Sequence, residues 1–149
     1  GVLLVGGVTA DIMASSVQYL RPNNDADHWC NIEEQSSLVH ASYSGVTLAL
    51  IHGGQPDVMV LCHEPTRTHM RGLPEYQQPS LEALRDLSLQ MARIVNPDCK
   101  IIGISVNTQH IVADKCEAYL AEVEAEMGLP TIDPFRQGAG RLVDALAAI

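Results

Sequence analysis

The chain has 149 residues, 46% hydrophobic and 18% charged, and a formal net charge of −9 from eighteen acidic and nine basic side chains. That length suits one domain, residues 1–149, able to bury most of its unfolded surface, and the composition excludes a disordered chain. The basic residues are scattered, so nucleic acid is not an expected partner, and no apolar run approaches the roughly 20 residues needed to span a membrane.

Extended and helical patterns alternate along the chain. Gly1-Val-Leu-Leu-Val-Gly-Gly7 opens abruptly as a strand, which suggests a preceding N-terminal portion. Thr9 begins a helix through Leu20, with Ile12, Met13, Ser16, Val17 and Leu20 near helical spacing. Trp29 to Ile32 reads as a short extended piece that runs into Glu33-Glu34-Gln35. Ser44 to Ile51 predicts a short helix stopped at Gly53-Gly54.

The most informative stretch follows, Asp57-Val-Met-Val-Leu-Cys-His-Glu-Pro-Thr-Arg67. An apolar run without alternation predicts a strand buried on both faces, as in parallel sheets. Residues 63–79 then form a long loop rich in His, Arg and Pro, and loops of that length inside a compact domain are usually functional. Ser80 caps an amphipathic helix through Ile94 that ends at Asn96-Pro97. Lys100 to Ser105 predicts a second buried strand, and a helix over about 110–127 stops at Gly128. Thr131-Ile132 and a helix over about 138–148 close the chain.

Such alternation implies a doubly wound, mainly parallel α/β sheet. Glu33–Ser37, His63–Arg67, Asn107–His110 and Asp133–Gly138 would then leave the carboxyl ends of four strands, where open α/β sheets bind ligands. Glu33 and Glu34 suit either a magnesium or water-activating role or two solvated acids. His63 suits proton transfer or hydrogen bonding to substrate, its free imidazole titrating near pH 6.5. Arg67 and Arg71, with Thr66 and Thr68, suit an anionic ligand, because a guanidinium grips a carboxylate at two points. Asn107 is either a nucleobase partner or a turn residue.

No metal is assigned, since His40, His52, His63 and His69 lack the helical His-x-x-x-His spacing of zincins. The four cysteines, Cys30, Cys62, Cys99 and Cys116, contain no Cys-x-x-Cys pair and read as reduced, buried thiols of a cytoplasmic protein. No leader pattern is present, so secretion is not expected. The 149 residues hold no Gly-x-x-x-x-Gly-Lys-Ser/Thr, and their only lysines are Lys100 and Lys115.

Two long segments, Ser42-Tyr-Ser-Gly-Val-Thr-Leu-Ala-Leu-Ile-His-Gly-Gly-Gln-Pro-Asp57 and Val60-Leu-Cys-His-Glu-Pro-Thr-Arg-Thr-His-Met-Arg-Gly-Leu-Pro74, closely resemble the C-terminal domain of the D-glutamate N-acetyltransferase family. Gly103-Ile-Ser-Val-Asn-Thr-Gln-His110 and Asp133-Pro-Phe-Arg-Gln-Gly-Ala-Gly140 match it as well. The family was long catalogued as a domain of unknown function with a phosphate-loop NTPase-like fold similar to dethiobiotin synthetase. The resemblance implies that fold here, with the phosphate-loop portion absent, as the C-terminal part of a longer architecture. It also implies transfer of an acetyl group from acetyl-CoA to the amine of D-glutamate.

Under that resemblance Glu33 or His63 is the base. Arg67, Thr66, Gln35, Ser37 and His40 bind the amino-acid substrate, and Asn107, Arg136 and Gly138 bind acetyl-CoA. Relatives read Glu-Gly-Gln-Gly-Ser where this chain reads Glu33-Glu34-Gln35-Ser36-Ser37, so Glu34 and Ser36 stand in place of glycines and put activity in question. Two other functions stay open: a nucleotide-dependent ligase resembling dethiobiotin synthetase and using Mg-ATP, and a non-catalytic binding or oligomerisation domain. A cytoplasmic homo-oligomer without membrane or nucleic-acid partners is expected.

Overall fold

The computed structural model describes residues 9–21, 25, 28–34 and 37–149. The strand expected over 2–5 lies outside these residues. Helix α1 (Ala10–Leu20) leads to α2 (Ser44–Gly54), β1 (Val58–His63), β2 (His69–Met70) and β3 (Leu73–Gln77). After these come α3 (Leu81–Ala92), β4 (Lys100–Val106), a 3-10 turn (Ala113–Lys115), α4 (Cys116–Met127), β5 (Thr131–Ile132), α5 (Pro134–Gln137) and α6 (Gly140–Ala147).

Strands β1, β4 and β5 form a parallel sheet in the order β1-β4-β5, so the α/β class with a parallel sheet holds. The register pairs His63 with Val106 and Ser105 with Ile132, so all three strands end at one level. Ile101, Ile104 and Val106 of β4 join Leu61 of β1 and Leu120, Val123 and Met127 of α4 in the main core cluster. Successive strand residues point to opposite faces. Gly103 accordingly faces away from Ile104, toward α6, and helices cover both sides of β4.

Glycine at 103 is required by that second layer. A Cβ there would lie 2.2 Å from Leu142 Cδ2 and 2.8 Å from the Pro130 carbonyl oxygen, far inside van der Waals contact. The same carbonyl accepts the Ile104 amide at 2.8 Å, so it cannot withdraw without breaking the ladder. Gly53 plays a similar part between helices, because a Cβ there would meet the Ala14 carbonyl oxygen of α1 at 2.2 Å. Helix α3 starts where its cap is read: Ser80 Oγ accepts the Ala83 amide at 3.2 Å.

Several expected elements differ. Residues 29–32 form no strand, and Trp29 is 68% exposed, so the short apolar run there has no sheet neighbour among the described residues. Strand β1 is not buried on both faces: Leu61 is buried while Val60 and Cys62 are exposed, a period-two pattern that apolar composition alone cannot reveal. The segment 63–79 contains an antiparallel ribbon, β2–β3, instead of structureless loop. The helix expected over 110–127 begins as a 3-10 turn, whereas that over 138–148 is present as α6, preceded by a short helix, α5, that was not expected. Cys99 and Cys116 are buried as expected, but Cys30 and Cys62 are exposed.

Gly103→Ala should cost about 1–3 kcal/mol of stability, the usual effect of overpacking a tight interior. Urea denaturation would read this as a lower midpoint at unchanged slope. A wild-type midpoint would mean that α6 does not press on β4 as described.

Candidate active site

The polar exits of the three parallel strands meet in one crevice of about 400 Å³. His63, Glu64 and Arg67 come from the exit of β1, Ser105 and Asn107 from the end of β4, and Pro134 and Phe135 from the turn after β5. Glu34 and Ser37 also line it, as do Ser80 and Leu84 at the α3 entrance. The size suits a small metabolite.

His63 is half-buried, and its Nε2 lies 2.9 Å from the Tyr119 hydroxyl of α4. Burial pushes its imidazole pKa below the ordinary value, and the Glu64 carboxylate only partly offsets this. A neutral imidazole therefore dominates at pH 7. Burial pushes the Glu64 carboxyl up, but hydrogen bonds from the Thr66 hydroxyl and amide, with Arg67 and His110 nearby, bring it net below the usual range. Arg67 Nε stands 3.7 Å from Glu64 and keeps 42% of its side chain exposed, so its fork stays available to an anion. Cys62 also lines the crevice; although the residue is exposed overall, desolvation of its thiol and then the Glu33 carboxylate push the pKa up, so it is no ready nucleophile.

Below the rim, Asp133 acts as a linchpin between β4 and β5. Its carboxylate accepts from the Thr108 hydroxyl and, at 3.3 Å, from the Thr108 amide. It also caps α5 through the Phe135 amide at 2.9 Å. Arg136 Nε donates to Thr108 Oγ1 at 2.9 Å, completing the network. Burial raises the Asp133 pKa, but the hydrogen bonds from Thr108, Phe135 and Arg136 outweigh it and hold the carboxyl below its usual range. Thr108 is fully buried, and these bonds fix the rim turns on both sides.

The expected site residues divide by position. His63, Arg67, Ser37 and Asn107 line the crevice, and Thr66 stands beside it on Glu64. Asn107 Oδ1 accepts the Gln109 amide at 3.0 Å and so serves its turn, and the Asn107 backbone amide donates to the His63 carbonyl at 2.8 Å. Glu33 is exposed and off the lining, whereas Glu34 is on it and accepts from the Thr47 hydroxyl. Gln35 lies outside the described residues.

Both ring nitrogens of His40 are engaged by backbone. Nδ1 accepts from the Ser42 amide at 3.1 Å, which makes Nε2 the donor to the Arg71 carbonyl at 3.1 Å. Arg136 is bound to Thr108 and Asp133, and Gly138 ends α5. Sequence reasoning missed Tyr119, and within the expected clusters Asn107–His110 and Asp133–Gly138 it gave no role to Phe135 or to the Asp133–Thr108 pair. Phe135, 94% exposed beside the crevice, is the one with a readable signal: an aromatic one residue after a strand-end Asp-Pro. Among the described residues no group of three His, Cys, Asp or Glu side chains gathers to hold a metal ion, and no helix is long and apolar enough to cross a membrane.

Comparison with known proteins fits this geometry to a family. Residues 1–143 match the family model described as the P-loop domain of a domain of unknown function, DUF1611_C. The chain belongs to the DUF1611 family.

A relative named D-glutamate N-acetyltransferase from Tritonibacter scottomollicae is 63% identical over 155 residues, covering 100% of this chain and 46% of that protein. A second of the same name, from a Pseudoalteromonas species, is 38% identical over 149 residues and covers 96% of this chain and 45% of its own length. This DUF1611 chain thus spans about half the length of the curated relatives it matches. A crystal structure of a DUF1611 family protein from Anabaena variabilis superposes with a TM-score of 0.73 at 34% identity, over 78% of this chain and 34% of that one.

Asp133→Asn should cost about 1.5–3 kcal/mol at pH 7, the worth of hydrogen bonds to a charged group. Because the folded-state pKa is depressed, this contribution is present above the unfolded value of about 3.9 and is lost as pH falls through the folded pKa. Denaturation at a series of pH values should therefore show the gap to wild type closing below about pH 4. A gap that stays constant into strong acid would contradict the ionised linchpin.

Proposed function

We propose that this domain carries the acceptor side of an acetyltransferase that moves the acetyl group of acetyl-CoA to the amine of D-glutamate. The observation that carries this reading is the convergence of His63, Glu64, Arg67 and Asn107 in one crevice at the strand ends. The names of the relatives support the reaction, and the chemistry of the crevice supports the roles. Arg67 takes a substrate carboxylate, with Thr66 and Ser37 beside it. Asn107 and Phe135 line the crevice, with Arg136 beside them on the Asp133–Thr108 pair, and together they suit the nucleotide end of CoA, Phe135 offering an exposed ring face to a base.

His63 is the base. An amino-acid amine is mostly protonated at pH 7 and cannot attack until it loses a proton, and a neutral imidazole can take it. The freed amine then adds to the thioester carbonyl, the carbon–sulfur bond breaks and the thiolate takes the proton held by His63, after which the second proton of the attacking nitrogen passes through the neutral imidazole to water and leaves the amide. Glu33, the other candidate base, is exposed and off the crevice lining, so it ranks behind His63. The bond from Thr47 ties up one oxygen of the Glu34 carboxylate, so transfer is retained in this reading with Glu34 in place.

The protein expressed from its complete reading frame should release CoA from acetyl-CoA with D-glutamate and far less with L-glutamate. His63→Asn should lower turnover by about 10²–10⁴-fold, the range of a lost general base. Absence of CoA release with D-glutamate would overturn the reading, and undiminished turnover in His63→Asn would remove His63 from it.

Arg67→Ala should weaken D-glutamate binding by about 1.5–3 kcal/mol, and Arg67→Lys should recover only part of that, lacking the planar fork. Calorimetric titration giving equal affinity for wild type and Arg67→Ala would exclude the carboxylate role.

A further inference from the structure

His63 gives one edge of its ring to a residue that no motif singles out. The Tyr119 hydroxyl lies 2.9 Å from His63 Nε2, with the two rings nearly parallel at 23° and their centroids 6.4 Å apart. Tyr119 packs its ring against the core cluster of Leu61, Val106 and Leu120, so the position of its hydroxyl is set by packing. His63 lines the crevice and Tyr119 does not, so the Nε2 edge faces the protein. Among the described residues the ring makes no second hydrogen bond, which leaves Nδ1 for the crevice.

Two arrangements satisfy the 2.9 Å contact. With the hydroxyl donating, the ring hydrogen sits on Nδ1 and the crevice meets a donor. With Nε2–H donating to the hydroxyl oxygen, Nδ1 presents a lone pair. Only the second arrangement lets His63 take a proton and keep its hydrogen bond, because the imidazolium still donates from Nε2. We propose that Tyr119 is the positioning residue of this site: its oxygen accepts from His63 Nε2, fixes the tautomer, aims Nδ1 at the acceptor amine and stabilises the imidazolium that forms there. This role rests on His63 being the base.

A carboxylate often stands behind a catalytic histidine in this way. A phenol differs in being neutral. Burial, then Glu122, Glu126 and Glu64, push the Tyr119 pKa up, so the hydroxyl stays protonated. It orients the ring without the charge that would keep the resting imidazole protonated. The charged groups facing the pair are Glu64 beside His63 and Glu122 and Glu126 on α4, while His110 bears on Glu64.

The test uses the protein from its complete reading frame. Proton–nitrogen correlation spectra of the His63 ring should show hydrogen on Nε2 and a bare Nδ1 in wild type. Tyr119→Phe keeps the packed ring and should unfold at the wild-type temperature. It should lower kcat/KM for acetyl transfer about 10- to 100-fold, with KM for D-glutamate little changed. The acidic limb of its pH profile should move to lower pH, since the imidazolium loses its acceptor. Hydrogen on Nδ1 in wild type, or a Tyr119→Phe enzyme with wild-type kcat/KM and pH profile, overturns the proposal. Full turnover in His63→Asn overturns the base assignment itself, whereas a dead His63→Asn beside an unaffected Tyr119→Phe overturns the positioning role alone.

Discussion

Everything at the rim depends on three strands running parallel and ending in step. A parallel pair needs a long connection, so β1, β4 and β5 are far apart in sequence, and only their pairing brings 63–67, 107–110 and 133–138 to one edge. Strand β4 is the central member, buried on nearly every residue, and Gly103 lets a helix lie directly on it. The ladder fixes where the chain leaves the sheet. The side chains just past it inherit that precision.

Pairing alone would leave the exits as loose turns, and Asp133 removes that freedom. A carboxylate taken out of water is costly unless several donors repay the lost hydration, and here Thr108, Phe135 and Arg136 do so. Because these donors come from the exits of two strands, one buried charge ties both turns together. On the other side of the crevice the His40 contacts to Ser42 and Arg71 tie the β2–β3 ribbon to the segment that precedes α2. Crevice-lining groups such as His63 and Arg67 thus stand on a frame whose own polar groups are already satisfied.

Much of this was legible in the residues. The strands at 58–63 and 100–106 followed from apolar runs bounded by Pro and polar exits, though only the second is buried as expected, and α3 followed from its Ser80 cap and leucine spacing. The Asn107 and His63 clusters were legible because a strand end is where a sheet displays side chains. Other features depended on partners remote in sequence. The run at 29–32 looks extended but has no described strand to pair with, and only the register shows that Val60 and Cys62 face outward. Tyr119 falls among Cys116, Leu120 and Val123 and reads as core, since nothing local links it to His63. Glu33 and Glu34 are adjacent acids in one motif, and which of them reaches the crevice was a matter of backbone direction.

The central claim is that the strand-end crevice receives the amino-acid substrate. Titrating isotope-labelled protein, expressed from its complete reading frame, with D-glutamate tests it most directly. The account predicts that resonances of His63, Arg67 and Asn107 shift together with one saturation curve, while those of α1 (Asp11, Ser15, Tyr19) stay in place. Shifts confined to α1 or to the β2–β3 ribbon, with the rim unmoved at saturating D-glutamate, would contradict it.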